Sequence, residues 1–199
     1  MHDYAIFGHD RVAIGRWLGT AAILISGVSA QILIYANQLT GLNAFTRATV
    51  TTGLVYFALH WVFNRWIWKF KWLGIPDLNG CWDIVGRTLD EDGNTRFDWK
   101  GEIGITQNWK QILIHLKTDT SQSWSYTATL LKRNSPLGGW LLSYSYSNDP
   151  EVGSPRELNP HKGYCEAEIN NDLNAAKISY FNHGGRNTFG IIEMKRKVA

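Results

Sequence analysis

The side chains best suited to hold a ligand in this chain are aromatic rings and arginines in its C-terminal two thirds. A base stacked on an aromatic ring gains roughly 1–3 kcal/mol. The arginine guanidinium presents a planar fork of N–H donors that matches a phosphate group. The candidate ligand contacts are Arg87, Trp124, Tyr126, Tyr144, Arg156 and Arg186. These residue types predict a site for a planar, anionic small molecule, with barrel core or rim as the alternative role of the aromatic rings.

No residue pattern in the chain predicts catalysis. The sequence has no phosphate-cradling glycine loop, no HExxH and no G-x-S-x-G. His115, His161 and His183 are scattered, without a partner at metal-ligand spacing. Residues 90–92, DED, belong to a turn and not to a pair of catalytic carboxylates. We therefore expect a protein that is not an enzyme and that holds no metal or cofactor.

The candidate residues lie in a region whose apolar and polar residues alternate, as in β-strands. After Pro76, runs such as TRFDWKGEIGITQ, SWSYTATLLKR and WLLSYSYS alternate with turn sequences such as DEDGN. Eight short strands follow one another with mostly short connections and no helical pattern between them. Closing such a meander removes its exposed edges. Residues 77–199 are predicted to form an all-β, eight-stranded antiparallel barrel of the lipocalin-like kind.

Strand periodicity groups the aromatic residues by face. Trp124 and Tyr126 are two residues apart and therefore share one face of the fourth strand. Tyr144 and Tyr146 share one face of the fifth strand with Trp140. A single bulge would exchange the two faces, so the pattern alone does not say which face is the interior.

One connection between strands is long. Residues 147–163 contain three prolines and are expected to form a loop. Its candidate anion contacts are Arg156 and His161, which would act in a lid over one barrel mouth. A plain flexible connection is the alternative.

The N-terminal region, residues 1–76, reads as a membrane region. The first predicted span covers about residues 17–37, within a stretch that has no charged residue from Trp17 to Thr46. The second covers about residues 48–68 and ends in tryptophans and basic residues typical of a membrane interface. A signal peptide cleaved near Ala30 is the alternative for the first span, but the apolar run continues past that site.

The charges predict how the chain lies in the membrane. Residues 1–76 contain six Lys/Arg and two Asp/Glu, and residues 77–199 the other fourteen and fifteen. Because the basic residues of the first region flank the spans, the positive-inside rule places both termini and the barrel in the cytoplasm. The nearly neutral second region argues against binding of polymeric nucleic acid. Cys81 and Cys165 lie in separate strands and are expected to be reduced.

Small residues recur along the first span. Gly15 and Gly19 form a GxxxG spacing, and Ala22, Ser26 and Ala30 follow four residues apart. Such a face lets helices approach closely and would allow the protein to self-associate in the membrane. A chance pattern in a helix rich in small residues is the alternative.

The junction between the two regions carries a resemblance. Residues 75–82 read IPDLNGCW, and a G-x-W at the head of the first strand is similar to that of lipocalin-like barrels, where the Trp plugs the closed end. With two spans before it and eight strands after it, the chain resembles the CD-NTase-associated effectors of bacterial CBASS antiphage systems that have two transmembrane helices and a β-barrel. The matching positions are Ile75, Pro76, Asp77, Leu78, Gly80 and Trp82.

The resemblance implies a receptor. In that family the cytoplasmic barrel senses a cyclic nucleotide, expected here to be a cyclic dinucleotide, made by a partner nucleotidyltransferase. The protein then oligomerises, and its helices disrupt the inner membrane and kill the infected cell. The alternatives are a membrane-tethered carrier or sensor of an apolar small ligand, and an inert scaffold. A wide apolar cavity would favour the carrier, whereas a filled interior with a polar mouth would favour the nucleotide.

Overall fold

The structure, a computed structural model, describes residues 1–40, 51–135, 138–150, 160–184 and 187–197. The chain divides into two compact units. Met1–Gly8 and Gly74–Ala199 form the barrel unit, and His9–Leu73 form the helical unit. The sequence places the boundary at residue 76, close to Gly74, but it assigns residues 1–8 to the membrane region and not to the barrel.

The helical unit begins with a long apolar helix, α1 (Arg11–Thr40). The carboxylate of Asp10 accepts a hydrogen bond from the amide of Ala13 at 2.8 Å, which caps the first turn. Within the described part of the chain, Arg11–Leu39 is the one helix long and apolar enough to cross a membrane.

The second helix, α2 (Thr52–Arg65), has 14 residues and is followed by 3₁₀ turns at Ile67–Lys69 and Lys71–Leu73. Fourteen residues are fewer than the ~20 that a helix needs to cross a bilayer. Part of the second predicted span, residues 48–50, lies outside the described residues. The crossing of the membrane by this segment stays a prediction.

The small-residue face of α1 contacts α2 of the same chain. Ser26 Oγ lies 2.9 Å from Thr52 Oγ1, and Ala22 is fully buried, whereas Ala30 is exposed. Packing of α1 against α2 therefore accounts for two of the small residues without a second copy. Self-association through this face stays a prediction.

The barrel unit confirms the predicted all-β fold. Two short strands, β1 (His2–Asp3) and β2 (Ala5–Ile6), precede the eight barrel strands. The barrel strands are β3 (Gly80–Leu89), β4 (Thr95–Gln107), β5 (Gln111–Thr118), β6 (Ser121–Arg133), β7 (Gly139–Pro150), β8 (His161–Ile169), β9 (Ala175–His183) and β10 (Phe189–Arg196). Each pairs with its neighbour in sequence, β10 pairs antiparallel with β3, and β5 with β6, so the sheet closes as an up-and-down barrel.

The long connection between β7 and β8 is shorter than the sequence predicts. Ser147–Pro150 belong to β7, and His161–Gly163 belong to β8, where they continue the antiparallel ladder. The prolines at positions 155 and 160 do not interrupt these strands, because both lie between them. Residues 151–159 lie outside the described residues.

One end of the barrel is closed by the tryptophan of the G-x-W sequence. Trp82 is fully buried, and its indole N–H donates to the carbonyl of Leu78 at 3.3 Å. The guanidinium of Arg196 lies 5.2 Å from the centre of the indole ring and donates to the carbonyls of Asp77 and Asn79. The junction thus places an apolar plug and its hydrogen-bonding frame at the floor.

Candidate ligand site

The opposite end of the barrel contains a cavity of about 540 Å³. Ligand pockets usually measure about 300–1,000 Å³. Its walls come from all eight barrel strands and their turns. The lining consists mainly of hydroxyl, amide, imidazole and aromatic side chains, with Leu116 and Ile192 among the few aliphatic ones.

The cavity exists because the inward side chains change character along each strand. On β7 the inward residues run from Trp140 and Leu142 through Tyr144 and Tyr146 to Asn148. The same progression ends at Asn182 on β9 and at Thr188 directly before β10, and both residues line the cavity. Strand alternation puts one of every two residues inside. The floor is therefore packed with apolar side chains, and the mouth is lined by polar ones.

Glycines opposite aromatic residues shape the walls. A Cβ added at Gly86 would overlap the ring of Trp99, its cross-strand partner. The same holds for Gly190 opposite Tyr180. Glycine in a strand often marks such close approaches, because only a bare backbone leaves room for the ring. Both Trp99 and Tyr180 line the cavity, and their rings meet edge to face at 6.2 Å.

A third pair of this kind carries a hydrogen-bonded network. Gly163 lies opposite Tyr146 and Asn182, and a Cβ there would overlap both side chains. The hydroxyl of Tyr146 donates to Asn182 Oδ1, and Asn182 Nδ2 donates to Thr188 Oγ1 at 2.7 Å. These bonds fix the orientation of the Asn182 amide, so the wall presents defined donors and acceptors.

Asn148 has an unpaired, buried acceptor in the cavity wall. The residue is 6% exposed and lines the cavity, and its Nδ2 lies 3.3 Å from Ser121 Oγ. Its Oδ1 belongs to the few buried side-chain atoms of the described residues that have no hydrogen-bond partner. Because an unpaired buried acceptor costs stability, such a group is suited to a ligand that donates an N–H or O–H.

The deep part of the cavity wall carries no charge at neutral pH. Burial raises the pKa of the Tyr144 hydroxyl well above its ordinary value. Burial likewise raises the pKa of the Cys165 thiol, the cross-strand neighbour of Tyr144, to about 12. Both groups stay protonated. The Lys, Arg, Asp and Glu side chains of the described lining are Lys100, Asp98 and Asp119, and no group of three His, Cys, Asp or Glu within the described residues could hold a metal ion.

The structure separates the aromatic candidates by face. Tyr144 lines the cavity and is 5% exposed. Trp124 and Tyr126 share the outer face, as the alternation predicts, and are 38% and 45% exposed. The ring of Trp124 stacks on that of His115 at 3.7 Å. The pairing shifts between Ser125 and Thr127, leaving Tyr126 unpaired in a bulge.

The arginine candidates fall in three places. Arg87 lies on the outer face of β3, where it forms an ion pair with Glu193 at 2.7 Å, and it does not line the cavity. Arg156 and Arg186 lie outside the described residues. The described residues that flank the two connections carrying them line the cavity: Asn148, His161, Asn182 and Thr188. As ligand contacts, all six candidates stay predictions.

Several lining residues were not among the candidates. The sequence predicted the strands that carry these residues but not that their side chains point inward. They are Asn148, Asn182, Thr88 and Ser121. The glycines opposite aromatic rings were an available signal, because inward-facing glycines in strands mark where a ring folds over the backbone. The pairing register needed to use that signal came only with the structure.

The fold and the cavity together define a class of protein: a β-barrel receptor for a small polar ligand, on a chain that also carries a membrane-length apolar helix. Comparison with known proteins identifies the family. Residues 73–196 match the family described as "Cap15, cyclic dinucleotide receptor domain", and residues 12–69 match "Cap15, TM helices". The chain is 32% identical over 207 residues to CD-NTase-associated protein 15 of Yersinia aleksiciae, covering 98% of this chain and 97% of that protein. The chain belongs to the Cap15 family, which confirms the resemblance read from the sequence and indicates association with a membrane.

Proposed function

We propose that the barrel binds a cyclic dinucleotide in the cavity at its mouth and that the protein is a sensor and effector of a CBASS antiphage system, not an enzyme. On ligand binding the protein oligomerises and its helices disrupt the inner membrane, which kills the infected cell. In this proposal both α1 and the segment at residues 48–68 cross the membrane, and the barrel and both termini face the cytoplasm.

The chemistry of the cavity carries the proposal. A nucleobase offers a planar face and an edge of N–H donors and carbonyl acceptors. The cavity offers aromatic rings at Trp99, Tyr144 and Tyr180, and amide groups at Asn148 and Asn182. The unpaired Oδ1 of Asn148 is the most specific of these features, because a rotation of the amide toward the cavity would let it accept from a base N–H without displacing a partner within the described residues.

The phosphates of the ligand require positive charge that the described lining scarcely supplies. Lys100 is balanced by Asp98 and Asp119. We propose that Arg156 and Arg186 complete the charge, because the connections that carry them begin and end at cavity-lining residues. An arginine fork would bind a phosphate through two parallel N–H donors.

A carrier or sensor of an apolar ligand is the weaker proposal. Such a protein needs an apolar lumen, whereas here aliphatic side chains fill the floor and the cavity combines aromatic rings with hydroxyl and amide groups. An apolar ligand would leave Asn148 Oδ1 without a partner within the described residues, and an unsatisfied buried group costs about 1–3 kcal/mol.

Isothermal titration calorimetry on the full chain in detergent or nanodiscs tests the proposal. The ligands are 3′,3′-linked cyclic dinucleotides covering all pairs of the four bases, with the matching linear dinucleotides as controls. We expect saturable binding of at least one cyclic member. Absence of binding across the panel, with a folded barrel by circular dichroism, would contradict the proposal.

Two neighbouring variants locate the site. Asn148→Asp places a carboxylate in the cavity, where it repels the phosphates, and should weaken binding at least about tenfold, or 1.4 kcal/mol. Ser147→Asp places the same charge on the opposite face of β7 and should leave the affinity within about twofold. Equal affinities for the two variants would place the ligand elsewhere on the protein.

The charge proposal has its own test. Arg156→Ala should weaken binding and reduce its salt dependence, because one phosphate contact is lost. Leakage of dye from liposomes and chemical cross-linking, each with and without ligand, test membrane disruption and oligomerisation. Ligand binding without either effect would leave a receptor whose output is something else.

A further inference from the structure

The N-terminal eight residues occupy a seam in the barrel. β5 and β6 pair directly only at His115–Lys117 with Gln122–Trp124, next to the mouth. Below this point the N-terminal segment lies between them. β1 pairs antiparallel with β5 at His2 and Asp3, and β2 pairs parallel with β6 at Ala5 and Ile6. We call residues 1–8 the N-terminal strap.

The strap is packed and hydrogen-bonded as part of the barrel wall. Tyr4 and Ile6 point inward and are 4% and 8% exposed. The Tyr4 hydroxyl donates to the carbonyl of Asn108 at 3.2 Å and accepts from Gln107 Nε2 at 3.0 Å. The amide of Phe7 donates to the carbonyl of Leu130 at 2.8 Å. These contacts go to β4, β6 and the turn after β4.

The strap begins where the direct pairing of β5 and β6 ends. Ser125 Oγ accepts a hydrogen bond from the amide of Ile114 at 2.9 Å and lies 2.8 Å from His2 Nε2. Ser125 is also the cross-strand partner of Tyr146, which lines the cavity. A single residue therefore contacts the strap, β5 and the wall of the ligand site.

The same two strands form the strap's seam and part of the cavity wall. Leu116 of β5 and Ser123 of β6 line the cavity. Adjacent strands lie about 4.8 Å apart, so one inserted strand roughly doubles the separation of β5 and β6 below the mouth. If the strap left, β5 and β6 would either pair further along their length and narrow the barrel, or leave open edges. The docked strap thus sets the spacing of β5 and β6 directly below the stretch of these strands that lines the cavity.

We propose that the N-terminal strap couples the ligand cavity to the membrane helix. Its docking in the β5–β6 seam keeps the cavity in its binding shape, so a ligand in the cavity stabilises the docked strap. The coupling is reciprocal, as linkage requires. The strap ends at Gly8 and α1 begins at Arg11, so only two residues separate the docked segment from the helix. Ligand binding therefore tightens the docking of the segment that directly precedes α1 in the chain. The identity of the ligand rests on the proposed function.

Hydrogen exchange of the full chain in nanodiscs, read by mass spectrometry, tests the coupling. The probe is the tightest-binding cyclic dinucleotide of the panel described above. We expect saturating ligand to slow exchange in residues 1–8 and in β5 and β6. The slowing should be roughly 5–150-fold, the usual range for coupled sites. Unchanged exchange of the strap at saturation would overturn the proposal.

Two variants test the reciprocal effect. Ile6→Asp puts a charge on the buried face of the strap and should release it, raising exchange in β5 and β6 and weakening ligand binding by a factor in the same range. Ala5→Asp puts the same charge on the exposed face of the neighbouring residue and should change neither. Tyr4→Phe, which removes only one hydroxyl, should shift both measurements in the same direction by a smaller factor. Tyr4→Phe replaces Ile6→Asp as the test variant if Ile6→Asp does not fold, which would appear as loss of protection from hydrogen exchange in β8–β10.

The outcomes separate the two proposals. If the parent protein binds ligand and both Ile6→Asp and Tyr4→Phe bind it with the same affinity, the proposed role of the strap is overturned and the receptor function stands. Failure of every panel member to bind the parent protein would overturn the receptor function, and the ligand coupling with it.

Discussion

Asn148→Leu should stabilise the free barrel while weakening ligand binding. Asparagine and leucine side chains have the same number of non-hydrogen atoms and the same branching at Cγ, so the change removes polarity and keeps the branched shape of the side chain. The substitution deletes Oδ1, a buried acceptor that has no partner among the described residues. It also deletes one long hydrogen bond, from Nδ2 to Ser121 Oγ at 3.3 Å. The Ser121 hydroxyl keeps its contact with Thr118 Oγ1 at 3.2 Å, so no new unsatisfied group is created.

The magnitude follows from two opposing effects. Leaving a buried acceptor unpaired costs about 1–3 kcal/mol, and a typical hydrogen bond contributes about 0.5–1.5 kcal/mol. The first effect is the larger, because the lost bond is long and the acceptor is fully enclosed. The free energy of unfolding should therefore rise by about 1 kcal/mol, which raises the melting temperature by roughly 2–4 °C in a chain of this length.

The assay follows thermal unfolding of the full chain in detergent by circular dichroism in the β-sheet region, together with calorimetric titration of the cyclic dinucleotide. Ser147→Leu is the matched control, because it adds the same side chain on the outer face of β7. A variant that loses stability by more than about 1 kcal/mol would show that Oδ1 is paired in the free protein. A variant that binds ligand with parental affinity would show that Asn148 does not contact it.

Three further predictions address other parts of the site. Gly163→Ala should push the Tyr146 ring into the cavity and weaken ligand binding, measured by titration, while destabilising the barrel by about 1–3 kcal/mol; unchanged affinity would show that the ring moves elsewhere. Because burial raises the Cys165 thiol pKa from an ordinary 9.0 to about 12, the unfolded state releases its proton first as the pH rises. Stability should therefore fall by up to about 1.4 kcal/mol per pH unit between those values, and less steeply in Cys165→Ala, as denaturant titrations at pH 8–11 would show; equal slopes would contradict the burial argument. Arg186→Ala should weaken binding and lower its salt dependence, whereas Arg133→Ala, which removes an exposed ion pair with Glu168, should do neither; equal losses would indicate a nonspecific charge effect.

The strands of the barrel were predictable from the sequence because each carries a signal of its own. Alternation places Tyr144 and Tyr146 on one face with Trp140, and the structure confirms this grouping. Turn sequences such as DEDGN lie between β3 and β4, where they were predicted. The floor was also predictable, because Trp82 occupies the position that a G-x-W at the head of a first barrel strand indicates.

The inward face could not be predicted, because it depends on pairing. On β6, Ser121, Ser123 and Ser125 point inward before the bulge at Tyr126, and Ala128 and Leu130 do so after it. A reading with period two across the whole strand would place either the three serines or Ala128 and Leu130 on the outer face. The candidates on this strand were selected by aromatic character, which favoured the outer Trp124 and Tyr126 over the small hydroxyl residues of the wall.

The strap was missed for a related reason. Residues 2–6 have the alternation of a strand, but the run is short. The long apolar stretch from Trp17 onward gives a much stronger signal and led to the assignment of the whole N-terminal region to the membrane. Its pairing with β5 and β6 is non-local, joining residues more than a hundred positions apart. Local patterns contain no information about such contacts.

The barrel separates the residues that stabilise it from those that we propose bind the ligand. A mouth lined by hydroxyls and amides, with an unpaired acceptor at Asn148, costs stability that must be offset elsewhere in a small domain. The floor supplies that compensation through the fully buried Trp82 and Leu78. Arg196 contributes as well, because its guanidinium donates to backbone carbonyls of the junction beside Trp82. Truncating a buried tryptophan costs about 3–5 kcal/mol, several times the effect of any single change at the mouth. Because the floor contributes this large share, the mouth can hold polar groups that pair fully only with a ligand. Binding specificity in this fold can therefore be altered at the mouth without unfolding the barrel.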